Sequence, residues 1–299
     1  MNNIFFSIVI PTYNSEKTIE SCILSVLDQD FENYEIIIID NNSSDRTTKI
    51  IKKIKKNRKN LELYNINNRG IIAKSRNLGI KKANAEWICF LDSDDTWFKN
   101  KLSLIFDSIS TNKYDLIYHD LLLTNNKTNN FFFKKKYLIS KFPKKNITKQ
   151  LLLNGNFIYN SSVIIKKKVL VKINLINENK DIIGSEDYNT WLKTSEITNK
   201  FLYIKKVLGT YNNNDNYSNK NNLYFSAKQA SKPFLKYLNA KELKQHKGYL
   251  MYINARFCHN SNIDVDLHAK YMSVIKLGIF NYKIKSLIIL FLNFFMIKI

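Results

Sequence analysis

The residues best suited to chemistry stand together at Asp92-Ser93-Asp94-Asp95, directly after the apolar run Trp87 to Leu91. Carboxylates one residue apart at a strand end can hold a hard divalent cation, and such a cation neutralises a diphosphate without exchanging protons. Mg²⁺ or Mn²⁺ keeps other coordination positions for phosphate oxygens, so Asp94 and Asp92 would suffice as protein ligands. The plainer alternative is a strand-end turn with an N-cap for a helix over Phe98 to Ile109, because Asp is favoured in both places. A second pair of acids, Glu186 and Asp187, opens a helical stretch that carries Trp191 and Leu192. Carboxylates in a first helical turn also answer the helix dipole, so this pair has a structural reading of its own.

The elements that must position these acids alternate along the first hundred residues. Phe6 to Ile10 reads as a strand ended by Pro11, and Ile19, Ile23, Val26 and Leu27 fall at helical spacing within Glu16 to Leu27, behind Ser15 as N-cap. Glu35 to Ile39 is a β-branched run closed by Asp40, Asp45 to Ile54 a helix, Leu61 to Tyr64 a short strand and Ile72 to Lys82 a helix. This alternation predicts an α/β fold built from βαβ units on a mainly parallel sheet. In such sheets ligands bind beyond the carboxyl ends of the strands. Tyr13-Asn14, Asp40-Asn41-Asn42-Ser43 and Asp92 to Asp95 fall there and are expected to converge.

Further on, Lys101 to Ile109 reads as a helix, Leu116 to Leu123 as a strand, and Thr124 to Asn130 as a loop or hairpin tip. Asn212 to Asn222 is a long, Asn-rich polar loop of the kind that closes over substrate. From about Leu223 the pattern is helical and aromatic. The apolar run Ile284 to Ile299 is short of the ~20 residues a membrane span needs. It is either a helix docked on the core or a helix lying on a membrane surface, where the flanking Lys283, Lys285 and Lys298 would be at home.

Ser7-Ile8-Val9-Ile10-Pro11-Thr12-Tyr13-Asn14, then Ile36 to Ile39 with Asp40-Asn41-Asn42-Ser43-Ser44-Asp45, then Gly70 with Arg76-Asn77-Leu78-Gly79, then Phe90 to Asp95, then Glu186-Asp187 with Trp191, occur in that order. The series resembles the family 2 glycosyltransferases of the GT-A fold, of the bacterial surface-polysaccharide type, through about residue 110 and again around 184 to 211. The resemblance implies a Rossmann-like, mainly parallel sheet flanked by helices, with a helical C-terminal segment. It divides the chain into a catalytic domain over 1–222 and a helical extension over 223–299. The nucleotide-binding half would be about 1–110 and the acceptor half about 111–222.

The same resemblance implies the roles of individual residues. Pro11, Thr12 and Tyr13 form a nucleotide-contacting turn, with the Tyr13 ring able to stack on a base. Asp40 and Asn41 end the second strand and read the base, Asn41 standing where the family commonly has an acid; its amide oxygen could accept from a uracil imide N–H. Arg76 reaches the pyrophosphate side; its plainer reading is a surface helix residue. Asp94 is the metal ligand, with Asp92 turned to ribose and metal and Ser93 between them; Asp187 is the catalytic base and Glu186 its neighbour. The implied activity is inverting transfer of a hexose or N-acetylhexosamine from a nucleotide-diphosphate sugar, a UDP-sugar, with Mn²⁺ or Mg²⁺ as cofactor. The acceptor would be a glycan or an undecaprenyl-diphosphate-linked glycan, in O-antigen, capsule or lipopolysaccharide assembly. Tyr211 to Ser218 departs from the pattern in lacking Arg and His after the Tyr, which leaves Lys205 or Lys206 as stand-ins.

Two other readings remain. A catalytically degenerate nucleotide-sugar-binding protein is favoured by Asn41 and the missing Arg and His. A nucleotidyltransferase shares the sheet and the aspartates but brings a Gly-rich basic loop after the first strand, and Pro11 to Ser15 contains neither Gly nor Lys.

Lys and Arg number 47 against 25 Asp and Glu, a formal charge of +22. Nucleic acid, an anionic membrane surface and a bare compositional bias each accommodate that excess. No nucleic-acid motif accompanies it, so nucleic acid is not an expected partner. Cys22, Cys89 and Cys258 are too scattered for a disulfide framework or a zinc site, and no signal sequence is evident. The expected location is the cytoplasm, at the inner face of the plasma membrane.

Overall fold

Two runs of seven residues, β1 (Phe6–Thr12) and β2 (Tyr34–Asp40), pair in parallel with every residue buried. Burial on both faces explains why Ile8 to Ile10 and Ile36 to Ile39 are continuous apolar runs and not alternating ones. The computed structural model describes residues 4–109, 113–124, 136–212, 223–260 and 266–294. Between β1 and β2 lies α1 (Ile19–Leu27), and after β2 come α2 (Thr47–Lys55), β3 (Leu61–Asn65), α3 (Ile72–Lys82) and β4 (Trp87–Phe90). The short β5 (Thr96–Trp97), α4 (Lys101–Ile109), β6 (Leu116–Thr124) and β7 (Lys136–Leu138) follow. Next are α5 (Ile147–Asn154), β8 (Ile164–Lys166), α6 (Lys167–Lys172), α7 (Glu186–Ile197) and β9 (Phe201–Asn212). The described chain ends in α8 (Leu223–Ser231), α9 (Ala240–Asn260), α10 (Leu267–Leu277) and α11 (Phe280–Phe294).

The strands form one sheet in the order β3-β2-β1-β4-β8-β6-β9-β5, with β7 beside β6. Its first four strands are parallel, as the alternation predicts, whereas β8, β5 and β7 join antiparallel to their neighbours. The strand order reverses at β1 and β4, and the carboxyl ends of those strands carry Tyr13 and Asp92.

Three local expectations shift. β1 continues through Pro11 to Thr12, because its ladder to β4 stops at Val9 and Pro11 has no partner there to deprive of an N–H. Ser15 does not cap α1 with its side chain; its carbonyl accepts from Thr18 and Ile19, and its hydroxyl turns elsewhere. The helix after the aspartates begins at Lys101, with Phe98 in the connecting turn. The expected loops over 125–130 and 213–222 lie outside the described residues.

The chain divides into two compact units. The first comprises residues 1–143, 158–178 and 197–214 and contains the whole sheet. Inside it, α3 approaches β1 so closely that a Cβ on Gly79 would lie 2.4 Å from a methyl carbon of Val9. That approach sets the depth of the helix that carries Arg76. At the amino ends of the strands, the buried Ser7 hydroxyl donates to Glu35 at 2.5 Å, and Glu35 accepts from Asn84 N and Nδ2 at 2.6 and 2.9 Å. A buried carboxylate is tolerated there because each oxygen is satisfied.

The second unit comprises residues 144–157, 179–196 and 215–299 and is helical in its described part. α5 ends at Gly155, whose φ of 77° is a conformation other residues rarely adopt. The Tyr249 ring of α9 lies against it, within 2.5 Å of where a Cβ would be. Tyr282 of α11 stacks near Tyr249 and donates to the Asn154 carbonyl, so the Asn154-Gly155-Asn156 turn rests on two tyrosines of the later helices.

Gly79→Ala tests the close approach of α3. Ala in an exposed helix position would stabilise by about 1 kcal/mol, but overpacking a filled site costs roughly 1–3 kcal/mol. Urea unfolding is expected to show net destabilisation, relieved by Val9→Ala in the double variant; a more stable single variant would mean the helix stands off from the strand.

Candidate active site

Three turns at the carboxyl ends of β1, β2 and β4 are stitched together by hydrogen bonds. Asn14 N donates to Ser43 Oγ at 2.9 Å, and Ser44 N donates to Asn14 Oδ1 at 2.9 Å, joining the first turn to the second. The Ser15 and Ser93 hydroxyls share a bond of 2.9 Å, joining the first turn to the aspartates. Asn14 and Asn42 make these sharp turns at φ of 46° and 52°, a region Asn enters more readily than most residues. The convergence expected from the sequence is therefore physical contact.

Within the first two turns the side chains divide their work. Tyr13 is 58% exposed, so its ring is not spent on packing. Thr12 is buried and its hydroxyl has no hydrogen-bond partner among the described residues. Asp40 is buried and closes its own turn, accepting from Ser43 N at 3.0 Å and Ser43 Oγ at 2.5 Å. The Asn41 amide oxygen accepts from Asn68 N at 2.8 Å, which ties the second turn to the segment after β3.

Arg76 is not a surface residue. It is 3% exposed and donates from Nη2 to Asp92 Oδ1 at 2.7 Å, where Asn160 Nδ2 also donates at 3.1 Å. Asp94 carries the strain of the cluster: burial, and then the charge of Asp92, push its carboxyl up to about 6. Asp95 is deeper still. It accepts from the Ser161 hydroxyl and, at 2.8 Å, from Asn212 N, and burial followed by the charges of Asp94 and Asp92 raises its carboxyl well above the usual range. None of these acids caps α4.

Ser161 is the hub beneath the aspartates. Its hydroxyl donates to Asp95 and accepts from Asp92 N at 3.1 Å, and its carbonyl accepts from Trp97 Nε1 and from Lys101 Nζ, each at 3.0 Å. The Nζ of the fully buried Lys101 also lies 3.5 Å from the centre of the Trp97 ring, and burial pushes its pKa well below the ordinary lysine range. Ser161, Asn160 and Lys101 were not legible as site residues. Lys101 alone left a trace, standing in register with the buried Leu102, Ile105 and Ile109 on the core face of α4. Lys205 and Lys206 are exposed at a bulge of β9, six residues before its end at Asn212, or about 20 Å along the strand.

The residues present fit a divalent cation. Like-charged carboxylates crowded at a partly buried strand end are relieved by one, and an all-oxygen donor set suits Mg²⁺ or Mn²⁺. Among the described residues no three or more His, Cys, Asp or Glu are grouped to hold a metal unaided. A cation at Asp92 and Asp94 would therefore draw its remaining ligands from a diphosphate and water.

In the second unit, Glu186 and Asp187 open α7 but differ in use. Glu186 is buried and folds back to accept from Gly184 N at 2.7 Å. Asp187 is half-buried, and its Oδ2 accepts from Asn156 Nδ2 at 2.7 Å while Oδ1 takes Tyr188 N at 2.6 Å. The turn that rests on Tyr249 and Tyr282 thus supplies the residue that orients Asp187.

A carboxyl whose folded pKa lies near 6 against 3.8 for an ordinary Asp weakens the fold as pH rises between those values. Asp94→Asn is accordingly expected to melt higher than the wild-type chain at pH 7.5 in metal-free buffer. The advantage should shrink at pH 4.5 and disappear below about pH 3.8, where the carboxyl is protonated in the folded and the unfolded chain alike. Equal melting temperatures at both pH values would show that Asp94 is not crowded.

Comparison with known proteins agrees with this arrangement. The sequence model described as glycosyl transferase family 2 matches residues 7–173. The Escherichia coli UDP-Glc:alpha-D-GlcNAc-diphosphoundecaprenol beta-1,3-glucosyltransferase WfgD is 32% identical over 194 residues, 64% of this chain and 70% of the relative. Among solved structures, Staphylococcus aureus TarS in complex with UDP-GlcNAc superposes with a TM-score of 0.58 at 20% identity, covering 91% of this chain and 71% of that one. The Pyrobaculum calidifontis mannosyltransferase PcManGT in complex with GDP-Man and Mn²⁺ gives 0.59 at 14% identity, covering 93% and 77%. These likenesses establish the GT-A fold. With more than half of its length matched by the family model, and with the ordered strand-end turns that carry the match brought together in space, the chain belongs to glycosyl transferase family 2.

Proposed function

We propose that this chain is an inverting, metal-dependent transferase that moves a hexosyl or N-acetylhexosaminyl group from a UDP-sugar to a glycan or undecaprenyl-diphosphate-linked glycan in surface polysaccharide assembly. The observation that carries the reading is the set of joined turns after β1, β2 and β4. It brings together an exposed aromatic ring, a polar base reader, a buried arginine and crowded carboxylates. Those are the separate requirements of a nucleoside diphosphate. The likeness to WfgD, a UDP-Glc-dependent glucosyltransferase by name, and to TarS in complex with UDP-GlcNAc supports the choice of donor.

In this reading the Tyr13 ring stacks on the base, and Asn41 Nδ2 donates to a base carbonyl, of which uracil has two. The Thr12 hydroxyl, otherwise without a partner, is available to the nucleoside. Pro11 holds the end of β1 in the extended form that presents these groups, Asp40 fixes the turn that carries Asn41, and Ser93 ties the aspartates to the first turn. Arg76 holds Asp92 in place and adds positive charge beside the diphosphate. A cation held by Asp94 and Asp92 would supply charge neutralisation for the departing diphosphate.

Asp187 is the general base. The acceptor hydroxyl oxygen attacks the anomeric carbon, and its proton passes to the Asp187 carboxylate. The bond from that carbon to the β-phosphate oxygen breaks, and the nucleoside diphosphate leaves with the electron pair; attack from the opposite side inverts the centre. Asn156 and the Tyr188 amide hold the carboxylate for this task, and Glu186 closes the turn beneath it. The same reading places the chain at the inner membrane face, where a lipid-linked acceptor is found. Among the described residues no helix is long and apolar enough to cross a membrane.

UDP and Mn²⁺ together are expected to raise the melting temperature, by the equivalent of about 2.7 kcal/mol at one hundred times the dissociation constant. A larger rise with GDP would replace the nucleotide in this assignment. Asp94→Ala and Asp187→Asn should each lower transfer by roughly 10²–10⁴-fold with the fold intact. Near wild-type turnover in both variants would leave a nucleotide-sugar-binding protein in place of a catalyst.

A further inference from the structure

α11 buries one face and exposes another that is equally apolar. Tyr282, Ser286 and Ile289 are buried, Ile289 with Ala255 of α9 and Tyr271 of α10. Phe280, Ile284, Leu287, Ile288 and Phe291 are exposed, Phe280 at 74% and Phe291 at 63%. At 3.6 residues per turn these five occupy an arc of about 100°, opposite the buried three. Lys283 and Lys285 fall on its two borders. From Leu267 to Ile299 the sequence contains Lys270, Lys276, Lys283, Lys285 and Lys298 and no Asp or Glu. Water does not favour a stripe of large apolar side chains such as Phe280, Ile284, Leu287 and Ile288, so the stripe calls for a partner.

We infer that the exposed stripe of α11 is a contact surface for an anionic lipid bilayer. The 15 described residues of the helix extend about 22 Å, a length suited to lying along a bilayer surface. There Phe280, Leu287 and Phe291 enter the acyl boundary while Lys283 and Lys285 reach up to the phosphates on either side. A second copy of this chain is the poorer occupant: pairing stripe to stripe sets lysine against lysine with no acid to separate them. The inference deepens the membrane placement proposed above but does not depend on the transfer chemistry, so the two can fail separately.

Deleting the helix would also remove Ile289 from the core, so point substitutions at exposed positions are the sharper test. The intact chain is expected to sediment with vesicles of phosphatidylcholine containing one quarter phosphatidylglycerol, and much less with phosphatidylcholine alone. Leu287→Glu/Phe291→Glu should lower the bound fraction by roughly tenfold or more with an unchanged melting temperature. Lys283→Gln/Lys285→Gln should weaken binding to the anionic vesicles alone, by roughly 30-fold at low salt. Transfer to a water-soluble acceptor should persist in both variants. Failure of the intact chain to bind anionic vesicles, or wild-type binding by the Glu variant, overturns the inference. So does a dimer in gel filtration that the Glu variant dissociates, which would make the stripe a protein interface.

Discussion

Placing Asp92, Asp94 and Asp95 at the end of a buried strand brings like charges together where water is scarce, and the surrounding elements are arranged around that repulsion. Arg76 answers Asp92 with charge, and Ser161 and Asn212 answer Asp95 with hydrogen bonds. Lys101 Nζ donates to the Ser161 carbonyl one hydrogen bond further in, and burial holds its pKa well below the ordinary lysine range. Asp94 receives no comparable partner, and its carboxyl is the one raised to about 6 by burial and by Asp92. The cluster is thus uneven: Asp92 and Asp95 have side-chain or backbone partners from distant segments, yet burial and neighbouring charge raise the carboxyls of both Asp94 and Asp95. Gly79 belongs to the same arrangement, because only a residue without a side chain lets α3 sink far enough to bury Arg76.

The helical unit has its own version of this economy. Asp187 lies in the first turn of α7, which would hold a carboxylate in any case, but its orientation comes from Asn156. Asn156 in turn follows Gly155, a residue that exists in its left-handed conformation to admit the Tyr249 ring. Helices with no counterpart in the family pattern therefore underlie the residue assigned as base. Their role is packing, and it gives the C-terminal sequence a reason to be aromatic.

α11 shows how one helix can meet both alternatives that its sequence left open. Its period places Tyr282, Ser286 and Ile289 on the core and Phe280, Ile284, Leu287, Ile288 and Phe291 away from it. Docking on the core and lying on a surface are not in competition when each uses a different face.

The parallel half of the sheet, the order of its strand-end turns and the gathering of acids after β4 were legible in the sequence. Burial on both faces demands unbroken runs such as Ile36 to Ile39, and the turns that end them must be polar. Local pattern also sufficed for α3 and α7. What the sequence left undecided was every question that depends on a partner distant along the chain. Arg76 read equally well as a surface residue until Asp92 was placed beside it. The turn over Asp92 to Asp95 read equally well as a helix cap until Ser161 and Asn212 claimed Asp95. Ser161 left no local trace, because a serine 66 residues from its partner belongs to no period and no motif. Periodicity reports which face of an element meets the core; only the tertiary structure decides which polar group waits there, because that depends on chain segments brought together by the fold.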